Sequence, residues 1–85
     1  MKVIEIPFNL QFSHQKQEIN LFGITFNLGL EFLEHQSFWI LHIYDQEEKP
    51  LALGIKLISN WPLFKHKGIT FIMLGNFVLM AYETV

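Results

Sequence analysis

The chain has no cysteine, no arginine, few charges of either sign and no long hydrophobic run. Without cysteine, disulfides, thiol catalysis and cysteine-based zinc sites are excluded. Without arginine, the chain lacks the guanidinium fork that reads phosphates and guanine edges, and its densest basic cluster is only Lys65-His66-Lys67. Nucleic acid is therefore not expected as a partner. Charged residues make up 16% of the chain, and six lysines face eight acidic residues, so no strong field of one sign arises. No apolar stretch approaches the ~18 residues of a membrane-spanning helix. Met1-Lys2 leads into Val3-Ile4-Glu5-Ile6-Pro7 without the apolar segment and cleavage site of a secretory leader. No membrane span is expected, and the chain is expected to be cytoplasmic when made.

What is present is an apolar surplus. Hydrophobic residues account for 51% of the 85, including nine Phe, two Trp and two Tyr. A single all-β domain over residues 1–85 is expected, and a domain of this size buries only about 60–65% of its unfolded surface. One small core cannot hide that much apolar material, so part of it is expected to face a partner subunit.

The apolar residues recur at period two. Residues 2–6 alternate, with Val3 on one side and Ile4 and Ile6 on the other, and Pro7 ends the segment. Residues 8–15 are irregular, with Leu10 and Phe12 expected to drop into the core. Residues 16–21 read as an exposed strand, apolar only at Ile19 and Leu21. Phe22-Gly23 has the length of a tight hairpin turn, with Gly23 able to take a positive φ. Ile24, Phe26, Leu28, Leu30 and Phe32 then share one face of a long strand.

Past the polar turn Glu34-His35-Gln36-Ser37, residues 38–45 put Trp39, Leu41 and Ile43 on one face. Phe38, Ile40, His42 and Tyr44 lie on the other. After Asp45-Gln46-Glu47-Glu48-Lys49, Leu51, Leu53, Ile55 and Leu57 alternate with Ala52, Gly54 and Lys56. Gly54 within a strand indicates a bulge or a close backbone crossing, as at a barrel corner. Residues 59–62 break the pattern and residues 63–67 read as a loop. A last hairpin follows, residues 69–74 and 77–82 about a Gly75-Asn76 turn, apolar on both faces. The fold class expected is a small antiparallel β-barrel or sandwich of about seven strands.

No catalytic constellation emerges. His14, His35, His42 and His66 show no metal-ligand spacing, so no metal is expected. Asp45, Glu47 and Glu48 share a turn without the alternating ligands or central glycine of a calcium loop, and read as a solvated turn. Ser13, Ser37 and Ser59 sit in turns and loops, none in a nucleophile elbow. Gly68 and Gly75 flank a strand and open no helix, so no phosphate cradle follows. No enzyme activity and no cofactor are expected. Trp61-Pro62 reads equally as an exposed aromatic contact or as a cap on one end of the barrel.

The run Phe38-Trp39-Ile40-Leu41-His42-Ile43-Tyr44-Asp45, a polar turn, then Pro50-Leu51-Ala52-Leu53-Gly54-Ile55-Lys56-Leu57 carries a resemblance. With the early Val-Ile-Glu-Ile-Pro strand and a closing Met-Ala-Tyr strand, it is similar to the baseplate plug proteins of contractile-tailed, cyanophage-type bacteriophages. The shared pattern is Trp-x-Leu-x-Ile-Tyr-Asp, a turn, then Pro-Leu-x-x-Gly-Ile-x-Leu. The resemblance implies a non-catalytic structural component of a phage or prophage tail baseplate, located in the virion tail near the spike. Its implied partners are other copies of itself and neighbouring tail proteins. Phe38, Ile40 and Tyr44, with Val78, Met80 and Tyr82, are the candidate contact residues, their opposite faces filling the core. The alternative is a small β-barrel binding module for a peptide or small ligand, with an aromatic groove near Trp61.

Overall fold

Among residues 2–75 and 77–83, which the computed structural model describes, the chain forms strands and no helix. Eight strands follow in order: β1 (Val3–Ile6), β2 (His14–Leu21), β3 (Ile24–Leu33), β4 (Phe38–Tyr44), β5 (Pro50–Lys56), β6 (Trp61–His66), β7 (Ile69–Leu74) and β8 (Val78–Glu83). They make two four-stranded antiparallel sheets, β2-β3-β4-β5 and β1-β8-β7-β6. Each sheet is open, ending in two edge strands, so of the expected barrel or sandwich the barrel is not the architecture, and there are eight strands rather than about seven. The chain divides into two compact units, Phe8–Leu57 and the remainder on either side of it.

In the Phe8–Leu57 unit each strand pairs with its sequence neighbour, and the register is set by tight turns. Phe22 and Gly23 both hold positive φ, at 54° and 87°, the twist that a two-residue hairpin needs to match its strands. That turn fixes β2 against β3 in unbroken register from His14↔Glu31 to Leu21↔Ile24. The turn before β4 likewise sets Leu33↔Phe38 through Asn27↔Tyr44, with Ser37 left-handed. The apolar alternation then puts Leu21, Phe26, Leu28, Leu30, Trp39, Leu41 and Ile43 on one buried face. The rings of Phe8 and Phe32 approach Trp39 with centroids 6.2 and 5.2 Å away. The Leu57 amide donates to the Trp39 carbonyl at 3.0 Å and prolongs the β5 side of the sheet.

The second unit is the meander β6-β7-β8, with β1 added beside β8 from Val3↔Tyr82 to Ile6↔Leu79. Its buried face holds Ile6, Ile69, Phe71, Met73, Leu79 and Ala81. Lys67 and Gly68, both at positive φ, make the two-residue turn between β6 and β7. Of the Gly75-Asn76 turn, Asn76 lies outside the described residues.

Three expectations are corrected. Residues 61–66 form strand β6 where a loop was expected: Pro62 sits on an edge strand, where a missing N–H is tolerated, and a bulge between Pro62 and Phe64 absorbs the break in pattern. Leu10 and Phe12 are not core but 50% and 58% exposed. The loop around them is tied down by polar bonds: the Asn9 amide donates to Gln15 Oε1 at 3.0 Å, Gln15 Nε2 returns to the Asn9 carbonyl, and the Gln11 amide reaches Asn9 Oδ1. This tight Asx-type turn holds the two apolar side chains out. Finally, Leu53 does not share a buried face with Ile55 and Leu57. Gly54, at φ 70°, bulges β5 as expected; Leu41 pairs with Ile55 and Ile43 with Ala52, leaving Leu53 58% exposed.

Gly23 meets nothing within 4 Å of an added Cβ, so replacing it tests backbone strain alone. Gly23→Ala is expected to lower unfolding free energy by about 1–2 kcal/mol, the penalty of a left-handed L-residue, read by urea denaturation.

Candidate functional site

Residues directly opposite across a ladder share a sheet face, so the register decides what each outer face displays. On the Phe8–Leu57 unit, β4 turns Phe38, Ile40, His42 and Tyr44 outward, all half-exposed, as expected for three of the candidate contact residues. Each has polar company. Ile40 lies between Glu31 and Lys56 in register. Lys56 Nζ stands 4.6 Å from the centre of the Phe38 ring, and Lys16 Nζ stands 5.4 Å from that of Tyr44. Such contacts lay an ammonium over an aromatic face and give the surface a mixed character.

In the middle of that face lies an open depression of about 320 Å³, lined by His14, Lys16, Gly29, Glu31, His42 and Tyr44 among others. Its floor is Gly29, which pairs with Lys16 on one side and His42 on the other. Glu31 joins two imidazoles: His14 Nε2 lies 3.2 Å from Oε2, and His42 Nε2 lies 3.5 Å from Oε1. The bulge at Gly54 points its amide at His42 Nδ1, 3.0 Å away. Because Nδ1 accepts that bond, the neutral ring carries its proton on Nε2 and donates toward Glu31. The nitrogen facing Glu31 thus has no lone pair to offer a cation. No group of three or more His, Asp or Glu side chains suited to hold a metal ion occurs among the described residues.

Sequence reading missed this cluster, although a signal for it existed. A two-residue turn at Phe22-Gly23 puts His14 opposite Glu31 by counting alone, and the turn before β4 puts Gly29 opposite His42.

The other three candidate contact residues, Val78, Met80 and Tyr82, are half-exposed on the outer face of β8. Their ladder partners make that face more apolar than the first. Val3 and Thr70 flank Tyr82, Glu5 and Ile72 flank Met80, and Leu74 faces Val78. Val3 and Leu74 are themselves exposed. Trp61 is 66% exposed on the edge strand β6, which agrees with the exposed-contact reading and not with a cap. It does not line the depression, which is built from β2, β3 and β4. Leu10, Phe12 and Leu53 are exposed apolar residues that the sequence pattern did not single out as contacts.

Fold and surface together define a small all-β protein that carries more exposed apolar side chain than its own sheets use. A family model, that of the cyanophage baseplate Pam3 plug gp18, matches residues 3–84, and the chain belongs to this baseplate plug family. No curated protein and no solved structure matches it.

A Cβ added at Gly29 would sit 3.6–3.8 Å from His42 and Tyr44, ordinary van der Waals contact. Gly29→Ala is therefore expected to leave the fold intact and to raise unfolding free energy by about 0.5–1 kcal/mol, since glycine inside a strand carries excess unfolded-state entropy. Urea titration of both glycine variants should give opposite signs for Gly29→Ala and Gly23→Ala.

Proposed function

We propose that the chain is a non-enzymatic structural component of a phage or prophage tail baseplate, a plug at the tail hub. It acts by associating with copies of itself and by packing against neighbouring tail proteins. The observation that carries this reading is the family match over residues 3–84. It is supported by the two half-exposed outer faces, which place Phe38, Ile40 and Tyr44 on β4 and Val78, Met80 and Tyr82 on β8. The β8 face is the better candidate for packing against a partner. There Met80 and Ile72 adjoin, with Val3, Val78 and Leu74 nearby, whereas the β4 side chains are interleaved with lysines and Glu31. Apolar surface of this kind gains free energy by leaving water, at about 25 cal/mol per Å².

A second reading, a binding module for a peptide or small ligand, draws on the depression beside Tyr44, whose aromatic ring and convergent polar groups suit a small molecule. The two readings differ in oligomeric state: the module is a monomer at micromolar concentration, and the plug is not.

The test is light scattering coupled to size exclusion on the chain and on the Ile40→Lys, Met80→Lys double variant. The chain is expected to elute as an oligomer, and the double variant to shift toward monomer while keeping its strand circular dichroism. Both positions are half-exposed, so the fold should lose no more than about 1–2 kcal/mol. By contrast, Leu41→Lys, at a fully buried position, should abolish folding. Unfolding of the double variant would make its two residues core and overturn the assignment of faces. A strict monomer would count against the plug. Tail-sheath, tube or spike genes beside this one would support the baseplate role independently.

A further inference from the structure

Open β-sheet edges invite pairing with other strands, and proteins blunt them with proline, bulges, short length or charged side chains. Three of the four edges here have proline, a bulge or short length. β1 is four residues long and is followed by Pro7. β5 starts at Pro50 and bulges at Gly54, and β6 carries Pro62 and a register shift. The fourth edge, β2, is different. It runs eight residues without proline or bulge, in unbroken register with β3, and its only guard is the exposed pair Lys16 and Glu18, opposite charges that a second copy can match.

The phase of its hydrogen bonds is known. The Phe32 amide donates to the Ser13 carbonyl at 2.8 Å, so the odd-numbered residues of this edge bond toward β3. The even ones, His14, Lys16, Glu18 and Asn20, therefore aim their amides and carbonyls outward. All four are exposed, and among the described residues no backbone group bonds to them on that side.

We propose that β2 pairs antiparallel with β2 of a second copy of this chain, about a two-fold axis at Gln17, joining two four-stranded sheets into one continuous sheet. The inference rests on the self-association read above and adds a strand-edge contact to the faces named there. Register selects the pivot. Pairing about Gln17 sets Lys16 opposite the partner's Glu18 and Glu18 opposite the partner's Lys16, on the same outer face, and sets His14 opposite Asn20. All outward-aimed backbone groups of the four even residues are then satisfied, about eight new hydrogen bonds. A pivot one residue earlier sets Lys16 against Lys16, and one residue later sets Glu18 against Glu18. Like charges directly opposite are destabilising. The lysine and glutamate thus deter the neighbouring registers and favour one, and a two-fold interface needs this kind of self-complementary patch.

The absence of native cysteine makes the test direct. In this register Gln17 faces its own copy across a non-hydrogen-bonded pair, with Cα atoms about 4.5 Å apart, within disulfide reach. Gln17→Cys is expected to form a covalent dimer under mild oxidation. His14→Cys is expected to stay monomeric on denaturing gels, because its two copies lie about 20 Å apart along the strands. In parallel, Lys16→Glu alone should weaken dimerisation about tenfold by placing like charges in two symmetry-related pairs, and Lys16→Glu with Glu18→Lys should restore it. These exposed charge changes leave the fold in place. If the chain self-associates while the charge variants behave alike and Gln17→Cys does not cross-link faster than His14→Cys, edge pairing is wrong and association through the sheet faces stands. A chain that is monomeric at all concentrations overturns both.

Discussion

Two left-handed residues, Phe22 and Gly23, are the constraint on which the Phe8–Leu57 unit depends. A two-residue turn with this twist leaves β2 one register against β3, and a slip of one residue would turn every side chain to the opposite face. The buried set Phe26, Leu28 and Leu30, the row His14–Glu31, the glycine floor beside Lys16 and the bonding phase of the β2 edge all follow from it. Phenylalanine is an unusual residue to hold positive φ, where asparagine or glycine is common.

The apolar surplus has a definite geography. The buried faces use one side of each strand, and two of the outer faces differ in character. On β4 the outward residues are chaperoned by charge, with Lys56 over Phe38, Lys16 over Tyr44 and Glu31 beside Ile40. On β8 the outward residues adjoin other apolar side chains, Ile72, Leu74 and Val3. A face of the first kind tolerates water while still offering contact; a face of the second kind gains more from being covered.

Much of the fold was legible because alternation is a strong signal where one face is buried. Trp39, Leu41 and Ile43 could be assigned to the core directly, and the bulge at Gly54 was visible as a glycine inside an apolar run. What stayed hidden has physical reasons. A bulge reverses alternation beyond it, so Leu53 looked buried. Edge strands carry proline at little cost, so Trp61–His66 looked like a loop. Leu10 and Phe12 point outward because side-chain bonds of Asn9 and Gln15 shape their loop, and such bonds leave no periodic trace. The barrel failed for a different reason: alternation reports that a strand has an inside, and says nothing about whether a sheet closes on itself. The six candidate contact residues lie half-exposed on outer faces, but the His14–Glu31–His42 cluster emerges only when strand registers are counted across two turns.

The placement of β1 beside β8 has a consequence for biosynthesis. The Phe8–Leu57 unit is contiguous and built from neighbouring hairpins, with short loops to close, so it can form while later residues are still being translated. The first strand has no such prospect. Its ladder runs to residues 79–82, so Val3 to Ile6 must wait, unpaired, until those residues have been made. A four-residue strand ending at a proline is a safe segment to leave waiting, since it offers little for an aggregating strand to hold. The order of strands in this sheet thus makes its completion a report that synthesis has passed β8.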